Sequence, residues 1–308
     1  MSMIEIYFKT PEDLAFKKID DFRLGGWLYA KEANLEDLTL IAERTGLDIA
    51  DLRDSLDKYE LPRIEYIHEN ALFFVRHPSD RELGLYTETL TIALTNAFVI
   101  AISPSRSEII EQLIASNTPL GTTQKSKLIL HILLKITQEY TNSIKRLRHS
   151  ILGYEMASEV VDSNAIFVLT KNEEILNQFL TSIVPMRNLL ETMAGGRYVN
   201  LYEQDLDLLQ DLMIAMKQSE DVCRVNIKSI RSLRDSYHII FTNDVNRTIK
   251  LLTALTIIFS IPTIIASIYG MNVALPFATK SYAFGGILGF TAVSSVLAIL
   301  WFKTKRWL

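Results

Sequence analysis

The chain contains a single cysteine, Cys223, so it can form no internal disulfide, and such sparse thiol usage fits a reducing compartment. It lacks a basic segment followed by an apolar core at its start. MSMIEIYFKTPEDLAF reads as neither a secretory leader nor an Arg-rich transit peptide, and the body of the chain is expected in the cytoplasm. His68, His77, His131, His149 and His238 show no zinc-ligand spacing, and no P-loop or dinucleotide-binding glycine pattern occurs, so an enzyme is not expected. Acids are scarce near the C-terminus. After residue 240 there is one, Asp244, against six basic residues, a net +5; the whole chain carries −4, so residues 1–240 carry −9. An acidic body joined to a basic, apolar tail suggests a soluble domain beside a membrane and argues against nucleic acid as a partner.

Residues 1–104 mix short strand signals with helices. Residues 4–8 alternate and 27–29 form a short apolar run. Asn34 can cap a helix, with Asp37 three residues on, and that helix is expected to reach about Thr45, before Gly46. Residues 48–56 read as a second short helix. Segments 63–67, 71–76, 85–94 and 97–102 are rich in Ile, Phe, Val and Thr, with turn residues Glu69-Asn70, His77-Pro78-Ser79-Asp80 and Thr95-Asn96 between them. The spacing predicts an α/β cytoplasmic domain with a mainly antiparallel sheet. Residues 105–194 read as a helical cytoplasmic part, with helices over 105–115, 125 to about 160, and 163–193 kinked at Pro185, before the Gly195-Gly196 break.

From about residue 199 neither Gly nor Pro appears until Pro262. Leu209, Met213, Met216, Cys223, Ile227, Ile230, Tyr237 and Phe241, with Glu220 and Arg234 filling the gaps, alternate at spacings of four and three, which is a heptad seam. One very long helix is expected from the Gly-Gly break to Tyr269, with residues 195–248 as a stalk. About 70 residues at ~1.5 Å each reach roughly 105 Å, too far for a globular domain. The alternative is two helices with a bend at Thr242-Asn243-Asp244, which are poor helix formers.

Residues 249–269 carry one charge, Lys250, and residues 282–302 carry none; each stretch has the ~20 residues a helix needs to cross a bilayer. Arg247 and Lys250 precede the first span, and Lys303, Lys305 and Arg306 in the tail 303–308 follow the second, so both termini are expected in the cytoplasm and the loop 270–281 outside. The second span carries Gly285, Gly286, Gly289, Ser294 and Ser295 and reads as an outer, lipid-facing helix. In the first, Thr256, Ser260 and Thr263 share one face, which continues through Leu252 or Thr253, Ile249 and Asn246 and ends at Asn272. A lone hydroxyl in a membrane helix bonds its own i−4 carbonyl and lines nothing. An aligned face serves a water-filled path or a helix contact, and its continuity with the stalk favours the path. Two helices per chain enclose little, so several chains are expected to supply such a path, with the stalk seam as a surface for closing the ring.

Tyr269-Gly270-Met271-Asn272 between two C-terminal spans resembles the signature of the CorA family of divalent metal-ion channels. Pro262-Thr263, the closing basic-Trp-Leu tail and Leu61-Pro62-Arg63-Ile64-Glu65 add to the resemblance, which covers the organisation of the whole chain. It implies a homopentameric funnel in which α/β domains stand on stalk helices and the first span of each subunit lines a pore. Gly270, Met271 and Asn272 are then the selectivity filter, holding a hydrated cation on neutral oxygens, because Mg²⁺ dehydrates reluctantly. The pore face becomes Asn246, Ile249, Leu252, Thr256, Ser260 and Thr263, with Leu252 and Ile249 as an apolar gate. The resemblance also implies regulatory Mg²⁺ between cytoplasmic domains, on Asp54 of one subunit and Asp211 of the next, favouring the closed state; no organic cofactor is implied. One departure is that residues 273–280 contain no acid, which weakens cation capture at the outer mouth. Without a nucleotide site, uptake of Mg²⁺, Co²⁺ or Ni²⁺ across the cell membrane is expected to be passive. Two alternatives stay open: a Zn²⁺ transporter of the same fold, and a membrane-anchored metal sensor or scaffold that transports nothing.

Overall fold

The computed structural model describes residues 4–308 apart from 83–84, 157–162, 197, 200, 274, 277–279 and 281. The chain divides into two compact units, Met1–Ser232 and Leu233–Leu308. In chain order the elements are β1 (Ile4–Phe8), β2 (Lys17–Ile19), β3 (Trp27–Ala30), α1 (Leu35–Thr45), α2 (Ile49–Leu52), a 3-10 turn (Arg53–Leu56), β4 (Arg63–Ile67), β5 (Asn70–Glu82), β6 (Leu85–Leu94), β7 (Val99–Ile102), α3 (Glu108–Ala115), α4 (Lys125–Met156), α5 (Ser163–Ala194), α6 (Glu203–Tyr269) and α7 (Ala283–Thr304).

Alternation along the strands builds the sheet, whose order is β2-β1-β3-β7-β6-β5-β4. Every neighbouring pair is antiparallel except β3 and β7. All four residues of β3 and all four of β7 are buried, as in strands covered on both faces. One cross-strand row, Ile6, Leu28, Ile100, Ala93 and Leu72, joins Leu38 and Ile41 of α1 and Leu52 of α2 in a single core. The opposite face lies under α3, α4 and α5. Tyr29 accepts a hydrogen bond from the Ser107 amide at 2.9 Å, and Tyr140 donates to the Arg76 carbonyl at 3.2 Å. Helix α1 begins where expected: Asn34 accepts from the Glu36 and Asp37 amides, and Asp37 returns the bond to the Asn34 amide, a capping box. Gly46, at φ 76°, ends it in the left-handed conformation that glycine tolerates best.

Several sequence expectations shift. β2 is an additional edge strand; its Lys17 and Lys18, typical of a protected sheet edge, hide it from an apolar pattern. The turn between β4 and β5 is His68-Glu69, both at positive φ, one residue earlier than the expected Glu69-Asn70. His77-Pro78-Ser79-Asp80 is strand rather than turn. Pairing of β4 with β5 ends at Arg63 and Phe74, so beyond it β5 has a strand neighbour on one side only, where a missing proline N–H is tolerated. The helix expected over 48–56 is α2 followed by the 3-10 turn, and α3 starts at Glu108 rather than 105. The expected end of α4 near residue 160 lies outside the described residues. Helix α6 runs without a break through Thr242-Asn243-Asp244, so the two-helix alternative does not hold.

The heptad seam is real as a buried stripe, but its partner differs. Leu209, Met216, Cys223, Ile227 and Ile230 are buried inside the first unit, so this stretch is already covered within one chain rather than left for closing a ring. Glu220 falls in the seam because it is paired: it accepts from Arg187 of α5 at 3.2 Å and from Arg224 at 3.1 Å. Burial also pushes the Cys223 thiol up to about 12, so it stays protonated and unreactive. Farther along α6, Ile239, Phe241 and Val245 are exposed.

In the second unit, Ala254 and Ile258 of α6 pack with Phe302 of α7, flanked by Ala298 and Trp307. The end of α7 explains the basic-Trp-Leu tail. The Trp307 amide donates to the Phe302 carbonyl at 3.0 Å and the Arg306 amide to Lys303 at 3.1 Å, with Arg306 at φ 56° and the Phe302 and Trp307 rings 5.5 Å apart. This is a Schellman cap with its apolar contact, ending the helix where the basic residues cluster.

Arg76 ties the loop before β4 to the sheet. It is 5% exposed, and it donates to Thr87 Oγ1 and the Thr87 carbonyl, to Thr89 Oγ1, and to the Lys58 and Glu60 carbonyls at 2.6–3.0 Å. Burial pulls its pKa down, and these acceptors compensate for the lost water. Arg76→Met is expected to cost about 3 kcal/mol by stranding the loop carbonyls, roughly 6–12 °C in the melting temperature of the full chain. Lys18→Met, which removes an exposed pair with Glu5, serves as the near-neutral comparison.

Candidate functional site

Helices α6 and α7 are both long and apolar enough to cross a membrane. Positions along α6 differ by ~100° of rotation per residue, so Ile249, Leu252, Thr256, Ser260 and Thr263 lie within one face. Ala254 and Ile258, the residues buried with Phe302 of α7, lie on the opposite face, roughly 160° away from Thr256. α7 therefore covers one side of α6 and leaves the hydroxyl side clear of it. Asn246, Ile249, Leu252, Thr256 and Thr263 are exposed and Ser260 is half-buried.

Each hydroxyl bonds a carbonyl one helical turn back, as threonines elsewhere in the chain's helices also do. Thr256 donates to the Leu252 carbonyl at 2.8 Å, Ser260 to Thr256 at 2.7 Å and Thr263 to Phe259 at 2.9 Å. With its proton turned back onto the helix, each oxygen has only acceptor lone pairs left to point outward. The stripe is thus an acceptor surface, suited to the water hydrogens around a hydrated cation.

The helix ends at the candidate filter. The Gly270 amide bonds the Ala266 carbonyl at 2.9 Å and the Met271 amide bonds Ile268 at 3.2 Å. A side chain at Gly270 would sit 3.3 Å from the Ala266 carbonyl, tighter than ordinary contact. Met271 and Asn272 are exposed, and among the described residues Asn272 has no hydrogen-bond partner. Much of the expected outer loop 270–281, namely residues 274, 277–279 and 281, lies outside the described residues.

The two candidate regulatory carboxylates sit on different elements. Asp211 is exposed on α6 and lines a cavity of about 430 Å³ with Thr141, Asn142 and Lys145 of α4. Asp54 lies in the 3-10 turn, half open to solvent, and is paired with Arg63 at 2.7 Å. Partial burial lowers the Arg63 pKa, but the bonds and charges of Glu65, Asp54 and Glu60 outweigh it and raise the value overall. Hard carboxylate oxygens suit Mg²⁺. Among the described residues no group of three or more His, Cys, Asp or Glu is placed to hold a metal. Sequence reasoning gave no role to Arg63 or Arg76. An arginine directly after the apolar run Leu72–Val75 was the available signal for Arg76.

Residues 26–306 match the family model described as CorA-like Mg²⁺ transporter protein. The cobalt/magnesium transport protein CorA of Methanocaldococcus jannaschii is 24% identical over 298 residues, covering 94% of this chain and 93% of that protein. The magnesium transport protein CorA of Helicobacter pylori is 33% identical over 245 residues, 74% of each chain. The complete structure of the CorA magnesium transporter from M. jannaschii superposes with a TM-score of 0.84 at 23% identity, covering 100% of this chain and 99% of that one. The sheet domain, the long helix and the two apolar C-terminal helices are thus the fold of a known group of ion transporters, and the chain belongs to the CorA-like Mg²⁺ transporter family.

Proposed function

We propose that the chain is a subunit of a passive, gated channel that admits Mg²⁺, and with it Co²⁺ or Ni²⁺, across the cell membrane, with both termini in the cytoplasm. The observation that carries this reading is the acceptor face of α6, formed by Thr256, Ser260 and Thr263 and turned away from α7. In it, residues 249–269 line the pathway, 270–281 form the outer loop and 282–302 form the outer span. One chain cannot enclose a pathway, so several copies surround the axis; the family resemblance gives the number as five.

The physical steps follow from the residues. Gly270, Met271 and Asn272 offer neutral oxygens to the water shell of the ion, which selects without stripping it. Thr263, Ser260 and Thr256 replace bulk water with hydroxyl acceptors along the upper pathway. Leu252 and Ile249 form an apolar ring that conducts only when wet, so a small widening acts as a gate. Asn246 marks the inner mouth. The membrane potential drives a divalent cation inward by ~4.6 kcal/mol per 100 mV, twice the single-charge value. Mg²⁺ bridging Asp54 and Asp211 of neighbouring copies favours the closed state, and its loss leaves acidic surfaces that repel.

Flux into proteoliposomes loaded with a Mg²⁺ indicator tests the pathway. Asn272→Ala is expected to lower flux by about tenfold or more; unchanged flux would remove the filter assignment, and absence of flux for Mg²⁺, Co²⁺, Ni²⁺ and Zn²⁺ in the unaltered protein would remove the channel. The pair Thr256→Val and Ser260→Ala is expected to lower flux about two- to fivefold, because apolar isosteres delete acceptors at nearly constant volume. Thr291→Val, which deletes the equivalent i−4 bond in α7, should leave flux unchanged. For the regulatory pair, Asp211→Ala and Asp54→Ala are each expected to weaken Mg²⁺-dependent protection of the cytoplasmic part against protease, and intact protection would count against them.

A further inference from the structure

One guanidinium stands among three carboxylates, one of which is the candidate regulatory aspartate. Arg63 Nη2 donates to Asp54 Oδ2 at 2.7 Å, Nε donates to Glu65 Oε1 at 2.7 Å, and Nη1 donates to Glu60. The guanidinium also lies over the ring of Phe74, 4.1 Å from its centroid, and that ring is fully buried in the sheet core. The Phe74 contact and the bonds to Glu60 and Glu65 remain to hold Arg63 if Asp54 departs.

The three carboxylates are not equivalent. Glu60 and Glu65 flank Arg63 in the chain, and the Glu60 carbonyl is pinned by Arg76 at 3.0 Å. Asp54 comes from the separate 3-10 turn. Its side chain is 55% exposed, against 15% for Glu60. Asp54 is therefore the carboxylate that can leave, and Arg63 retains two partners when it does.

We propose that Arg63 is a tethered counter-ion that competes with divalent metal for Asp54, and so sets the Mg²⁺ concentration at which neighbouring cytoplasmic domains lock together. The proposal rests on reading Asp54 as half of a metal site shared between copies. Without metal, the guanidinium neutralises Asp54, and the acidic surface carries less uncompensated charge. With metal, Asp54 exchanges the guanidinium for Mg²⁺ while Arg63 stays on Glu60, Glu65 and Phe74. A part-exposed ion pair shifts a competing equilibrium modestly, by about two- to fivefold, which makes it a device for setting a threshold rather than for blocking the site.

The test is limited proteolysis of the full chain, in detergent or vesicles, across a Mg²⁺ titration. Arg63→Gln is expected to lower the half-protective Mg²⁺ concentration about two- to fivefold. Arg53→Gln removes the same charge next to Asp54 without a bond to it, and is expected to move the midpoint less. In an Asp54→Asn background, Arg63→Gln should no longer shift it. If Arg63→Gln does not fold, Arg63→Lys carries the test, since an ammonium cannot bridge three carboxylates and the midpoint should again fall. An unchanged or raised midpoint, or equal shifts for Arg63→Gln and Arg53→Gln, overturns the competition while Asp54 keeps its role. If Asp54→Asn alone leaves protection intact, the failure lies in the metal-site reading beneath it.

Discussion

A bilayer core offers no water to take up a stray donor or acceptor, so the outer part of α6 must satisfy its polar groups from its own backbone. On the proposed reading, the ion pathway depends on this constraint. Helix α6 is continuous to Tyr269, and Thr256, Ser260 and Thr263 turn their protons back to i−4 carbonyls, a bond that Thr39, Thr137 and Thr170 also make in helices outside the apolar stretches. What is left facing outward is oxygen lone pairs. A stripe that looks like ordinary back-bonding when each residue is taken singly becomes, along one face, a surface of uniform polarity. Pro262 marks the one place where the ladder cannot close, since it has no N–H to offer the Ile258 carbonyl, and Ile258 is buried against α7.

In the unit Met1–Ser232 the corresponding constraint is charge. The body is acidic, and two of its arginines, Arg63 and Arg76, stand where carboxylates or carbonyls converge. Arg76 is buried and bonds carbonyl and hydroxyl oxygens, so it is part of the architecture. Arg63, one strand away, faces carboxylates at the surface, where an exchange of partners costs little. The same residue type fixes a loop in one place and leaves a contact labile in the other, and burial makes the difference.

Most of the fold was legible in the sequence because it follows from periodicity and composition. Alternation located β1, an apolar run located β3, richness in Ile, Phe, Val and Thr between turn residues located β4 and β6, and the Asn34–Asp37 pair located α1. Where the signal was something other than these, it failed: β2 is two lysines and an isoleucine, and Pro78 looked like a turn until its place beyond the end of β4 explained it. The seam teaches a different lesson. Spacing identified which residues of α6 are buried, but a pattern carries no record of what buries them, and here α4 and α5 of the same chain lie beside it. For the site, the hydroxyl face was readable from spacing, and its opposition to α7 needed coordinates. Asp54 could be picked out, but its partner nine residues on could not, because ion pairs between a turn and a strand leave no periodic trace.

The exposed Ile239, Phe241 and Val245 lie on α6 between the buried seam and the first span. A helical stretch of this length with no packed face is marginal in water, because nucleation is costly and side-chain burial supplies most helical stability. In the proposed multi-subunit channel, its order is linked to subunit association by mass action. On this view a dissociated chain frays at the neck while its sheet domain stays folded, and the two ends of one helix melt under different laws, one set by temperature and denaturant alone, the other also by concentration.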